Sequence, residues 1–411
     1  MTTPLAPTRP VRRNTIAAYY FPGYHAEPRN EKRYGSGWTE WRLLEAARPR
    51  FPGHNQPLTP LWGAESESDP KVMARKIQAA ADHGVDVFLF DWYWYGGPFL
   101  NGALDEGYLK ANNRERVRFA LMWANHNWAE IFPRRLNAPE EVIYPGAASA
   151  EIFDKICDHI IADYFSRAEY WRVDGGLYFS IYDLTTFLEG FGNDVQAAAE
   201  ALRRFRQKTA AANLGNLHLN LIYWQLLALP GSKATSITPE LAGRLGFDSV
   251  TSYVWIHHVP LDFPTMSYDR VLQGIRAYTL ATARAFEPIG VPYFPNVSVG
   301  WDSSPRTDQK GPWIPWEYPF TGCISDSDPK KFRDALRWAK EYVDAHPETK
   351  GIVTINSWNE WTEGSYLEPD TTHRFGYLEA IREVFGTEVR ALPPHGGTAS
   401  APPPDASKRD G

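Results

Sequence analysis

The segment Asn356-Ser357-Trp358-Asn359-Glu360-Trp361-Thr362-Glu363-Gly364 places two carboxylates three residues apart among tryptophans, an amide and a glycine. It follows Gly351-Ile352-Val353-Thr354-Ile355, a short apolar run of the kind that forms a buried strand. Paired acids beside aromatic surfaces suit glycosidic-bond chemistry. One carboxyl moves a proton while the other carries charge or activates a nucleophile. A lone Glu-x-x-Glu after a strand also reads as two acids facing water, so the rest of the chain has to decide.

Similar junctions recur along the sequence. Tyr19, Tyr20, Tyr24 and His25 follow the first apolar run, and Asp91-Trp92-Tyr93-Trp94-Tyr95 ends the second. Trp123-Ala124-Asn125-His126-Asn127-Trp128, Tyr182-Asp183 and Tyr223-Trp224-Gln225 come next, then Tyr253-Val254-Trp255-Ile256-His257-His258 and Gly300-Trp301-Asp302. Each brings an aromatic ring together with a hydrogen-bonding group. As candidate substrate contacts we take Tyr20, His25, Trp38, Asp91, Trp92, Trp94, Asn125, His126, Trp128 and Asp183. Trp224, Tyr253, Trp301, Asp302, Asn359, Trp361 and Tyr366 complete the set.

Several of these have a structural alternative. Asp91 either contacts substrate or bonds loop amides, and Asp302 either caps a loop or holds a sugar hydroxyl. His126, between two asparagines, reads as a hydroxyl ligand. His257-His258 does not read as a metal site, because adjacent side chains point apart and no Cys or His partner has suitable spacing. Asp326-Ser327-Asp328 resembles the acid-x-acid element of many sugar transferases, yet Asp328 is accounted for as a helix cap before Pro329. No metal and no cofactor are expected.

The elements that must carry these residues alternate. Strands are predicted at Thr15–Tyr20, Val85–Trp92, Arg118–Trp123, Gly176–Tyr182, Leu217–Tyr223, Phe247–Tyr253, Tyr293–Ser298 and Gly351–Asn356. Most are continuous apolar runs, as in parallel strands covered on both faces. Asp69-Pro70 and Asp328-Pro329 open two amphipathic helices, with further helices at Ala150–Phe165, Asp194–Ala212, Tyr268–Phe286 and Phe375–Phe385. Shorter ones are predicted near Ala103–Ala111 and Pro239–Leu245. Eight strands alternating with helices give a (β/α)8 TIM barrel of the α/β class, whose active site lies at the carboxyl ends of its strands. A doubly wound open sheet fits less well, since no Gly-rich phosphate turn follows the first strand. The polar, aromatic stretch from Tyr24 to Ser68 is expected to form a lid or rim. Residues 1–14 are expected to be flexible, 15–390 to form the barrel, and 391–411 to be disordered.

Composition narrows the partners. Lys and Arg number 43 against 49 Asp and Glu, for a net charge of -6, so no basic footprint points to nucleic acid. No apolar run approaches membrane-helix length and no signal-peptide core is visible, so membrane insertion is not expected and a cytoplasmic location is. Aromatics reach 14%, with 16 Trp, 21 Tyr and 21 Phe, which favours a carbohydrate partner. Cys157 and Cys323 are too few and too far apart for a disulfide framework and read as buried thiols.

From about Ala17 to Phe385 the chain resembles the WbsX-type polysaccharide-biosynthesis proteins and, more distantly, the glycoside hydrolase family 99 endo-mannosidases. The likeness rests on Ala18-Tyr19-Tyr20-Phe21-Pro22-Gly23-Tyr24-His25, Gly37-Trp38-Thr39-Glu40-Trp41, Phe90-Asp91-Trp92-Tyr93-Trp94 and Trp123 to Trp128. Its most specific element is Asn359-Glu360-Trp361-Thr362-Glu363-Gly364-Ser365-Tyr366-Leu367-Glu368-Pro369. The resemblance implies a barrel that acts on glycans with retention of configuration and without metal. By it, Glu360 deprotonates the substrate's own 2-hydroxyl and Glu363 is the general acid/base. Thr362 stands where the mannosidases usually carry His, so mannose specificity is not carried over. The expectation is therefore a retaining glycoside hydrolase acting on a bacterial polysaccharide or oligosaccharide. A glycosyltransferase of O-antigen or capsule biosynthesis is the alternative, and a non-catalytic glycan-binding barrel the third reading.

Overall fold

The computed structural model describes residues 14–224 and 237–386. The expectations for the first 13 residues, for Gln225 and for the tail after 386 lie outside them. The main sheet consists of parallel strands β1 Thr15–Tyr20, β2 Val87–Trp94, β3 Arg118–Trp123, β4 Gly176–Ile181, β5 Leu217–Ile222 and β6 Ser249–Thr251. Strand β7 runs from Tyr293 to Ser298 with a break at Pro295, and β8 is Ile352–Asn356. The first half of β7 pairs with β6 and the second half with β8, while β8 pairs with β1. The sheet thus closes on itself as a (β/α)8 barrel. Proline has no N–H to give to a ladder, which accounts for the break; its carbonyl still accepts from Thr354 N at 3.0 Å.

Ten α-helices are described: α1 Pro28–Tyr34, α2 Trp41–Ala46, α3 Pro70–Asp82, α4 Ala150–Ile160, α5 Leu184–Glu189, α6 Val195–Ala211, α7 Pro239–Leu245, α8 Tyr268–Phe286, α9 Pro329–Ala345 and α10 Gly376–Phe385. Both Asp-Pro starts cap as expected. Asp69 accepts from Lys71 N and Asp328 from Lys331 N, each at 2.8 Å. The stripe of α9 buries Phe332, Ala335, Leu336, Ala339 and Val343 against the barrel. The helix expected over Ala150–Phe165 loosens into a π turn at Ile161–Phe165, and the one near Ala103–Ala111 is a π turn followed by a 3-10 turn.

Inside the barrel a buried polar belt ties strands together. Ser180 donates to Asn220 at 2.9 Å, Asn220 to Ser249 at 2.8 Å, and Asn296 to Thr354 at 3.1 Å. Buried polar groups that are all paired fix one arrangement of strands. The Tyr24–Ser68 stretch is a partly helical cover, carrying α1 and α2, and it sends Glu40, Gln56 and Glu67 into the interior. Cys157 and Cys323 are both free and buried.

Candidate active site

A cleft of about 570 Å³ opens at the carboxyl ends of the strands. Strand β2 shows how the sequence aims its side chains. Successive residues of a strand face opposite sides, so Asp91 and Tyr93 line the cleft while Trp92 and Trp94 point outwards. Trp94 lies 5.2 Å and Trp92 6.0 Å, between ring centroids, from His159 of α4. The same alternation in β3 turns Met122 and Ala124 inwards and stacks Trp123 on Phe153 of α4.

Glu360 and Glu363 both line the cleft and are both buried, at 4% and 5% exposure. The chain after β8 turns through the Asn359–Glu360 pairing with Ser365–Tyr366, then a 3-10 turn at Trp361–Glu363. Gly364 ends that turn with φ +64, where a Cβ would stand 2.8 Å from that of Asp302. Glycine is required there.

Arg306 holds the acids together. Its guanidinium donates to Glu363, to the Tyr318 hydroxyl and, at 3.1 Å, to Glu40, and it lies 3.5 Å from Glu360. Tyr318 donates to Glu363 as well, and Thr362 donates to Glu40. Glu360 accepts from the Tyr253 hydroxyl at 2.6 Å, and its amide donates to Ser357 at 2.9 Å. Burial, followed by the charge of Glu363, pushes the Glu360 carboxyl well above the usual range, against the pull of Arg306 and Tyr253. Burial also raises Glu363, but Arg306 and Tyr318 oppose it. Asp91 is raised by burial and then by Glu360.

The walls are aromatic. Trp224 stacks on His257 at 3.9 Å between centroids, Tyr182 meets Tyr253 edge-on at 5.4 Å, and Trp128 stacks on Phe132 at 5.3 Å. His126 Nδ1 lies 2.9 Å from the Asn127 carbonyl, so that nitrogen carries the hydrogen and Nε2 is left as an acceptor. Burial lowers His126 and takes His257 down to about 3, keeping both neutral. Asp91 Oδ1, Trp128 Nε1 and His257 Nδ1 are buried polar atoms of cleft residues with no protein partner.

Of the residues singled out from sequence, Asp91, His126, Trp128, Asp183, Trp224, Tyr253, Trp301, Glu360 and Glu363 line the cleft. The Asp183 carboxylate also caps α5, accepting from Thr186 N at 3.0 Å. The structure places the others elsewhere. Trp92 and Trp94 face α4, as above. Asn125 spends both amide atoms on the Asp183 backbone, at 2.7 and 2.8 Å. His25 accepts from Gly102 N at 3.1 Å, and Trp38 packs on Tyr34 at 4.6 Å. Tyr20, Asn359 and Trp361 belong to a buried cluster beneath the site, and Tyr366 stacks on Trp361 while donating to Asp370 at 2.8 Å. In that cluster Lys76 pairs with Glu67 at 2.7 Å and Glu368 at 2.6 Å. Glu67 accepts from Tyr20 and Asn359, and Glu368 from Trp358 and Trp361.

Asp302 anchors the cover loop. It accepts from Gln56 at 2.6 Å, from Ser304 N at 3.0 Å, from the Cys323 thiol at 3.3 Å and from His54 Nε2 at 2.8 Å. His54 Nδ1 accepts from Arg50 N, so Nε2 carries the hydrogen. Burial would raise Asp302, yet these donors bring it down to about 2. The His54–Asp302–Cys323 group has metal-like spacing but is closed by its own hydrogen bonds. Asp328 caps α9, and Asp326 pairs with Lys331 at 2.6 Å.

Glu40, Tyr93, Tyr182, His257, Arg306 and Tyr318 are cleft residues outside the candidate set, although Tyr93, Tyr182 and His257 stand in the strand-end junctions and Glu40 in the Gly37–Trp41 motif. Tyr93 follows from strand alternation once Asp91 is set facing inwards. Arg306, in a loop after β7, carries no such signal.

Fold and site together define a closed (β/α)8 barrel with an acidic, aromatic-walled cleft at the carboxyl ends of its strands. The profile of the family described as glycosyltransferase WbsX matches residues 16–381, and the chain belongs to that family. Two curated relatives from Xanthomonas campestris pv. campestris, each described as uncharacterized protein WxcX, are similar to it. The strain B100 protein is 28% identical over 398 residues, covering 93% of this chain and 51% of the relative. The strain ATCC 33913 protein is 28% identical over 385 residues, covering 90% and 49%. The chain therefore spans about half the length of the curated relatives it matches. Among solved structures, a glycoside hydrolase-like protein superposes with a TM-score of 0.56 at 15% identity, over 94% of this chain and 98% of that one. The GH99 endo-alpha-mannosidase from Bacteroides thetaiotaomicron gives a TM-score of 0.51 at 15% identity, over 90% and 95%. At that identity the likeness is one of fold.

Proposed function

We propose that the chain is a retaining glycoside hydrolase acting on a bacterial polysaccharide or oligosaccharide, with Glu360 and Glu363 as its acid pair. The observation that carries this is the pair itself: two buried carboxyls that face the one guanidinium of Arg306, on the floor of an aromatic cleft. An inverting pair must hold a water between its carboxyls, whereas a retaining pair sits closer. Glu360 accepts the proton of a substrate hydroxyl, and that oxygen attacks the anomeric carbon. Glu363 gives its proton to the leaving oxygen as the glycosidic bond breaks. The carboxylate left behind is received by Arg306 and Tyr318, which already bond it. Developing charge met by preplaced donors is stabilised without reorganisation at the moment of reaction. In the second step Glu363 takes a proton from a water that attacks the anomeric carbon and opens the anhydro ring. Glu360 returns its proton to the freed hydroxyl oxygen, and the two inversions give net retention. Asp91 Oδ1, Trp128 Nε1, His257 Nδ1 and the free nitrogen of His126 serve sugar hydroxyls. The rings of Trp128, Tyr182 and Trp224 cover sugar faces.

Glu363→Gln should cost about 10²–10⁴-fold in kcat/KM. The variant should lose the high-pH limb of the rate profile and should spare substrates with good leaving groups. Unchanged hydrolysis by both Glu360→Gln and Glu363→Gln would sink the assignment.

The family's description favours a second reading, a glycosyltransferase. The cleft argues against it. Its lining carries Arg134 and Arg306 against Glu40, Asp91, Asp183, Glu360 and Glu363, with Glu140, Glu189 and Glu317 also present. Arg306 is already committed to Glu40 and Glu363, and a sugar-nucleotide diphosphate needs free cations or helix N-termini. Calorimetry with common sugar nucleotides decides: micromolar binding would favour the transferase.

A further inference from the structure

Tyr253 stands between two carboxyls. Its hydroxyl oxygen is 2.8 Å from Asp91 Oδ2 and 2.6 Å from Glu360 Oε2, and all three side chains are buried, at 5% exposure or less. A phenol has one hydrogen to give. If both acids were ionised, one of these contacts would set lone pairs of two oxygens against each other at hydrogen-bond distance. A buried arrangement of this kind is costly. It is relieved when one acid carries a hydrogen and donates it to the tyrosine oxygen, while the tyrosine donates to the other acid.

We propose that Asp91 and Glu360 share a single proton across Tyr253, so that Asp91 sets when Glu360 is free to act as a base. With the proton on Asp91, the chain of donors runs from Asp91 to Tyr253 to Glu360, and Glu360 is a carboxylate able to accept from a substrate hydroxyl. With it on Glu360, the chain runs the other way. Moving between the two shifts one hydrogen along each bond and leaves the total unchanged. Asp91 Oδ1, unpartnered and on the cleft, can still receive a sugar hydroxyl in either state.

The surroundings on every side make one proton the stable count. Tyr19 from β1, Tyr93 from β2 and Tyr182 after β4 face the pair as neutral phenols, raised by burial. Glu40 adds negative charge near Glu360, while Glu363 holds the proton it gives to the leaving oxygen. Arg306 is the cation that offsets it, at 3.5 Å from Glu360 and shared with Glu40 and Glu363. Two further ionised carboxyls would exceed what this one guanidinium neutralises.

The proposal rests on the placement of Glu360 in the acid pair, but its test needs no substrate and so fails or succeeds apart from hydrolysis. Infrared difference spectroscopy of the folded protein at neutral pH reads the C=O stretch of neutral carboxylic acids. Asp91→Asn, Asp91→Ala and Glu360→Gln should each lose one such band relative to the unmodified chain. The double variant D91N/E360Q should lose one, not two. If D91N does not fold, D91A carries the same comparison. A band that survives removal of the Asp91 carboxyl would show a proton belonging to Glu360 alone and overturn the proposal. Loss of two bands in the double variant would do the same.

Discussion

Arg306 faces Glu40, Glu360 and Glu363 at once, at 5% side-chain exposure or less for each partner except Glu363 at 7%. Removing one partner of a buried ion pair strands the other charge and costs about 3–5 kcal/mol. Arg306→Met should therefore lower the urea midpoint by a corresponding amount, and the loss should shrink at acid pH as the stranded carboxyls take up protons. A loss that stays constant between neutral and acid pH would contradict the role given to this guanidinium. Little of this was legible in the sequence. Glu360 and Glu363 stand out because tryptophans flank them on a strand end. Arg306 lies in Ser303-Ser304-Pro305-Arg306, where nothing periodic marks it. The tryptophans themselves misled in part: Trp361 uses its indole N–H on Glu368 and stacks on Tyr366, away from the cleft.

Among the elements, the floor of the site depends on α3. Lys76 is 3% exposed on the face of that helix that packs under the Glu360 loop, between Glu67 of the cover and Glu368. Through them it holds Asn359, Trp358 and Trp361. Lys76→Met should destabilise the fold by about 3–5 kcal/mol. It should also reduce kcat more than it raises KM, because it loosens the acids and not the aromatic walls. Wild-type kcat in a folded K76M would refute that link. The stripe of α3 was readable from Met73, Ile77 and Ala80, but a buried lysine within it was not, since its partners come from residues 67 and 368. The outward turn of Trp92 and Trp94 follows from strand alternation alone, once β2 is known to run to Trp94 and not to stop at Trp92.

For the molecule as a whole, the order of strands was largely legible because apolar runs alternate with capped helices, and parallel strands buried on both faces need just that pattern. Closure of the sheet was legible only as a count of eight; the break at Pro295 and the polar belt inside depend on contacts between distant segments. The same burial sets the pH response. His25 and His218 are taken down to about 4 and His257 to about 3, all by burial first. These histidines fold neutral, and the unfolded chain binds their protons more readily, so their contribution is present above about pH 6.5 and lost progressively as pH falls towards 4. Asp302, held down to about 2 by its donors, adds a second loss as pH falls from about 4 towards 2. The raised Glu360 and Asp91 act in the opposite sense, binding protons more tightly when folded. Melting temperature should fall between pH 7 and 4 and fall less in His257→Gln; an unchanged slope would show that this histidine is not buried neutral.

The central claim is retention by the Glu360–Glu363 pair. It is tested most directly by proton NMR of the first sugar released when bacterial surface polysaccharides are screened against the chain. The fresh product should carry the anomeric configuration of the bond that was cut and mutarotate afterwards, and E363Q should release none from an unactivated glycan. A product that first appears with inverted configuration would contradict the account.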